Sequence, residues 1–90
     1  MLKVRYSARF KKDFKLVQKR GCDIGLFEEI VLLLCNKKPL SLKNRDHALS
    51  GNYSGFRECH ITPDWLLIYK VQKDILTLTL TRTGTHSELF

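Results

Sequence analysis

His60, Asp64, Arg82 and His86 are the side chains of this 90-residue chain whose types and spacing can do chemistry together. An imidazole ordinarily titrates near neutral pH and can give or take a proton. A guanidinium offers a fixed planar fork to phosphate oxygens, and an aromatic such as Trp65 can stack on a base. These types suit the cutting of RNA by attack of its own 2′-hydroxyl on the adjacent phosphate. That reaction wants a base for the 2′-oxygen, an acid for the leaving 5′-oxygen and a cation for the crowded phosphate. Each residue also has an ordinary reading. His60 can be a polar strand end, Trp65 a core residue and Asp64 the holder of the Pro63 turn, while Arg82 can pair with Glu58 or Glu88. Their convergence is what favours a site.

Convergence depends on the elements that carry them. Leu2, Val4 and Tyr6 alternate with Lys3 and Arg5, which predicts a short half-buried strand over 2–6. Ser7 supplies an N-cap, Phe10, Phe14 and Val17 follow at helical spacing, and Gly21 stops the helix. Asp23 caps a second helix whose apolar face is Leu26, Phe27, Ile30, Val31 and Leu34, ending before Pro39. So short a connection predicts an antiparallel helical hairpin packed on a sheet. Residues 40–55 are polar and turn-rich and read as a loop. Three strands follow, over 56–60, 65–71 and 75–81, with a polar tail after Arg82. The expected fold is α+β: an N-terminal strand, a two-helix hairpin, then a three-stranded antiparallel meander, in one domain over 1–90.

A two-residue loop at Lys73-Asp74 pairs Gln72 with Ile75 and, counting back, Trp65 with Arg82. A four-residue connection over 61–64 places His60 opposite Trp65. Paired residues share a face, so His60, Trp65 and Arg82 fall side by side, with Asp64 in the adjoining turn. His86 lies four residues past Arg82, and Gly84 lets the chain bend back towards the group.

The net charge of +7 sits at one end. Residues 1–20 hold eight basic side chains, among them Lys11, Lys12 and Lys15, against the single acid Asp13; the other seventy residues sum to zero. Charge so concentrated suits a polyanion-binding surface, with the three lysines as RNA contacts. The longest apolar run, 30–35, is far too short to cross a bilayer, and residues 1–12 hold no apolar stretch of a signal peptide, so a cytoplasmic address and no membrane partner are expected. Cys22, Cys35 and Cys59 are odd in number and widely spaced, which fits reduced thiols. The histidines show no metal-ligand spacing, so a metal-binding protein built on His47, His60, His86 and a cysteine is disfavoured. Neither a metal nor a small-molecule cofactor is expected. A plain basic RNA-binding protein is a further reading.

The segments DHALSG (46–51), FRECHITPDWLLIYK (56–70) and RTGTHSELF (82–90) resemble the YafQ-type branch of the RelE/ParE bacterial toxin superfamily, over nearly the whole chain. The resemblance implies a compact RelE-like fold and a ribosome-dependent mRNA endonuclease, silenced by an antitoxin encoded beside it. It carries functional roles onto His47, His60, Asp64, His86 and Phe90, and matches Trp65 and Arg82 as well. His86 falls where such proteins favour the general acid, His60 or Asp64 would be the base, and Phe90 would close over the substrate. The family commonly has proline after its first histidine, where this sequence has Ala48. The alternative that the superfamily implies is a non-catalytic, ParE-like toxin that poisons DNA gyrase by binding.

Overall fold

Ser7 and Asp23 each start a helix in the computed structural model, which describes residues 1–90. The Ser7 hydroxyl accepts from the Phe10 N–H at 2.9 Å and donates to the Thr81 carbonyl at 2.6 Å, so the cap of α1 (Ala8–Lys19) also ties it to the sheet. The Asp23 carboxylate accepts from the Gly25 N–H at 3.0 Å and opens α2 (Ile24–Cys35). Gly21, at φ 76°, makes the tight turn between them. Phe10, Phe14 and Phe27 join the two helices, with the Phe14 and Phe27 rings 4.9 Å apart.

The sheet has five strands in the order β1-β5-β4-β3-β2: β1 (Lys3–Tyr6), β2 (His47–Ala48), β3 (Arg57–Thr62), β4 (Trp65–Gln72) and β5 (Thr77–Gly84). β1 runs parallel to β5 and every other pairing is antiparallel. The expected strand, helical hairpin and antiparallel meander are therefore all present. Besides the 3-10 turns Leu42–Asn44 and Gly51–Tyr53, two elements lie where the sequence suggested only loop and tail. One is β2, which is two residues long and too short to show alternation. The other is α3 (His86–Leu89), a single turn closed by a capping box between Thr85 and Glu88.

The register differs from the expected one at both turns. Gln72 pairs with Thr77 and not Ile75, because the connection is four residues long, with Leu76 in the left-handed region at φ 48°. At the other turn, Thr62 pairs with Trp65 and His60 pairs with Leu66. Trp65 consequently lies on the opposite face from His60. A bulge between the Ile68–Arg82 and Tyr69–Leu80 pairs leaves out Thr81, so Arg82 stands opposite Ile68 and not Trp65. This bulge matters for the site. Without it Arg82 would follow Leu78 and Leu80 onto the buried helix-covered face.

The two faces are unequal. Towards the helices, Phe10, Val17, Phe27, Ile30 and Leu34 close over Cys59, Leu67, Tyr69, Leu78 and Leu80. On the other face Leu66, Ile68 and Leu89 form a small cluster under Leu49, Tyr53 and Phe56. No helix is long and apolar enough to cross a membrane.

Candidate active site

Strand alternation puts Glu58 and His60 of β3 on the sparsely covered face, and antiparallel pairing with β2 sets His47 opposite Glu58. Glu58 is buried, at 6% side-chain exposure. Its Oε1 lies 3.6 Å from His47 Nε2 and 3.5 Å from His60 Nε2. One buried carboxylate thus stands between two imidazoles, ready to compensate positive charge on either. The sequence reading did not single out Glu58, although its i, i+2 relation to His60 on an expected strand was the available signal.

His47 is half-exposed, and its loop is held by a set of polar contacts. His47 Nδ1 lies 2.6 Å from the Arg45 carbonyl. A carbonyl can only accept, so Nδ1 carries a proton and neutral His47 leaves Nε2 free to take one. The neighbouring Asp46 accepts from the Tyr69 hydroxyl at 2.5 Å and from Arg57 Nε at 3.3 Å. Ala48 adds its pairing with Arg57. Burial, and then the bond to Asp46, push the Tyr69 phenol well above its ordinary range, so it stays a donor. Farther along, buried Asn44 donates to the His60 carbonyl at 2.8 Å and fixes the same loop to β3.

His60 also belongs to a second grouping. With Pro63, Asp64, Leu66, Thr85, His86 and Ser87 it lines a cleft of about 480 Å³ at the sheet end. Asp64 is exposed in the turn between β3 and β4, and His86 is exposed at the start of α3. The His86 and Phe90 rings stack at 4.9 Å, and Phe90 meets Tyr53 at 5.6 Å. Leu89, buried against Leu66 and Ile68, anchors this turn of chain.

Arg82 pairs with neither Glu58 nor Glu88. Its Nε and Nη2 donate to the two Asp13 oxygens at 2.8 and 3.1 Å, and the Thr83 N–H donates to the same carboxylate at 3.2 Å. Those bonds hold the guanidinium above even its ordinary high pKa. The single acid of the basic N-terminal segment thus orients the arginine from α1.

Trp65 requires a correction. It is 5% exposed, packs among the helix-side core at 6.4 Å from Phe27, and donates from Nε1 to Thr83 Oγ1 at 2.8 Å. Its ring is a core member and offers no stacking platform. The cause is the one-residue difference in register described above. Lys11, Lys12 and Lys15, in contrast, are exposed along α1 and take part in none of the ion pairs. All three cysteines are free, and burial pushes the Cys59 thiol up to about 12, far from a working nucleophile.

Residues 2–90 match the family described as the bacterial toxin of a type II toxin–antitoxin system, YafQ. The chain is 42% identical, over 97% of its own length and 94% of the relative's, to the mRNA interferase toxin YafQ of Escherichia coli K12. Among solved structures it resembles a metal-bound toxin from Helicobacter pylori, with TM-score 0.95, 46% identity and all of both chains covered. It also resembles the toxin of the E. coli DinJ–YafQ complex, with TM-score 0.89, 41% identity, and 100% and 99% of the two chains covered.

Proposed function

Since this chain belongs to the YafQ family of type II toxin–antitoxin toxins, we propose that it cuts messenger RNA on the ribosome through the residues gathered on the open face of its sheet. It is an endoribonuclease of the mRNA interferase kind. The observation that carries the reaction type is the cleft that His60 and Asp64 share with His86, two candidate proton acceptors facing a candidate donor.

His60 or Asp64 takes the proton from the 2′-hydroxyl, the 2′-oxygen bonds to phosphorus, and the phosphorus–5′-oxygen bond breaks. His86 gives the leaving 5′-oxygen its proton. Glu58, 3.5 Å from His60 Nε2, offsets the charge that His60 gains if it is the base. Arg82, oriented by Asp13, stabilises the phosphate as charge builds. His47 serves orientation or proton transfer from its loop, and Phe90, stacked on His86, closes over the substrate. No step passes through a metal ion, since the two imidazoles and the carboxylates suffice for both proton transfers. Lys11, Lys12 and Lys15 supply phosphate contacts. An acidic cognate antitoxin would cover part of this basic surface or displace the C-terminal turn, and charge complementarity would steer it. The cytoplasm, where messages are translated, is the working compartment.

The test is cleavage of a ribosome-bound message by the wild-type protein and by His60→Ala and His86→Ala, beside the same message free in solution. Both variants should cut far more slowly, and the ribosome should stimulate the wild type. Undiminished cutting by both variants, or poisoning of gyrase with no cutting at all, would overturn the reading.

A further inference from the structure

We infer that Glu88 and Arg20 form a clasp that positions His86, an inference that rests on the reading of His86 as the acid. α3 is one turn of helix, and a single turn does not hold itself in water. Yet it carries His86 at its start and is followed by Phe90, whose N–H donates to the His86 carbonyl at 2.9 Å. Buried Leu89 fixes one side of the turn. Glu88 fixes the rest.

Its carboxylate is engaged at both oxygens. Oε1 accepts from Arg20 Nη1 at 2.8 Å and from the Thr85 N–H at 2.9 Å, and Oε2 accepts from Arg20 Nη2. In return the Glu88 N–H donates to Thr85 Oγ1 at 3.4 Å, which completes the capping box. The bidentate fork fixes direction as well as distance. Arg20 and Thr85 together hold the carboxyl at about 2, well below the ordinary carboxylate range. Gly84 makes the room: at φ 153°, a Cβ there would stand 2.8 Å from Glu88 Oε1. Among the eight basic side chains of residues 1–20, Arg20 alone makes an ion pair. It is the one cation of that segment withdrawn from the RNA-facing set and given to the C-terminal turn.

Both partners are partly exposed, so the pair adds little to global stability. Its effect falls on the local order of α3 and on the rate of the chemical step. Small misplacements of a reacting group cost up to about 10²-fold. Glu88→Gln and Arg20→Gln should each lower single-turnover cleavage of ribosome-bound message by about 10-fold with half-saturation little changed. The double variant should lose no more than either single one, as expected for partners in one interaction. Amide and His86 ring resonances over 85–90 should report increased motion in both variants. If Glu88→Gln does not fold, Arg20→Gln keeps the test, because it leaves the capping box intact. Unaltered order of 85–90 together with an unaltered rate would overturn the clasp. Normal cutting by His86→Ala would instead remove the assignment of the acid, while the order measurement would still decide whether the clasp exists.

Discussion

On the helix-covered side of the sheet, Phe10, Phe27 and Ile30 close over Leu67, Leu78 and Leu80, which are fully or almost fully buried. The opposite side has a buried apolar cluster of only Leu66, Ile68 and Leu89, and carries His47, Glu58 and His60 beside the turn that bears His86. Alternation along a strand separates the two jobs by one residue. Leu67 serves the core and Leu66 the floor of the cleft, and Cys59 is core while Glu58 and His60 are site. The bulge at Thr81 lets β5 do both, since it is apolar towards the helices at Leu78 and Leu80 and then presents Arg82 on the other side. Stability and chemistry can therefore be disturbed almost independently, and the expected effects of substitution divide along the same line.

The largest effect should come from the open side. His86→Ala should lose about 10²–10⁴-fold in cleavage rate, the worth of a positioned acid, while its melting temperature stays close to wild type. Binding to ribosomes should be kept; a variant that cuts normally, or that unfolds, would erase the distinction between the faces. Leu78→Ala reverses the pattern. The residue is fully buried, and its loss should cost about 2–5 kcal/mol by denaturant titration, with the folded fraction still cutting at its usual rate. Ser7→Ala should cost about 0.5–2 kcal/mol, because it removes the α1 cap along with the bond to the Thr81 carbonyl beside the bulge. Replacing Lys11, Lys12 and Lys15 with glutamine should weaken ribosome or RNA binding and flatten its salt dependence, with the rate at saturation nearly constant. An unchanged salt slope would make those lysines a solvated face only.

A pH effect on local order should appear at the C-terminal turn. The Glu88 carboxyl is lowered from 4.5 to about 2 in the folded protein. The clasp's contribution is therefore complete above 4.5 and is lost as pH falls through about 2. Order over 85–90, followed by resonance broadening, should be lost in that acid window as the clasp is protonated.

Most of the fold was legible because it rests on local signals. Ser7 and Asp23 cap helices in the structure as their residue types suggested, and the Leu78–Leu80 alternation lies on a strand. Register was not legible. It depends on a four-residue connection with Leu76 in the left-handed region and on a bulge at Thr81, and no residue type announces either. That is why Trp65 looked like part of the site and is core, and why the partner of Arg82 is Asp13, sixty-nine residues earlier. Glu58 was only half legible: its place beside His60 follows from strand alternation, but its second partner appears only when β2, too short to read, brings His47 across from it. The capping box Thr85-His86-Ser87-Glu88 was in plain view and marks α3, but the polar composition of the tail hid it.

The central claim is that side chains of the open face move two protons while the RNA's own 2′-hydroxyl makes the cut. Chemical analysis of both new ends of a message cleaved on the ribosome tests it most directly. The account predicts a 2′,3′-cyclic phosphate or 3′-phosphate on the upstream fragment and a 5′-hydroxyl on the downstream one. A 5′-phosphate facing a 3′-hydroxyl, the outcome of attack by water as in metal-dependent nucleases, would contradict it.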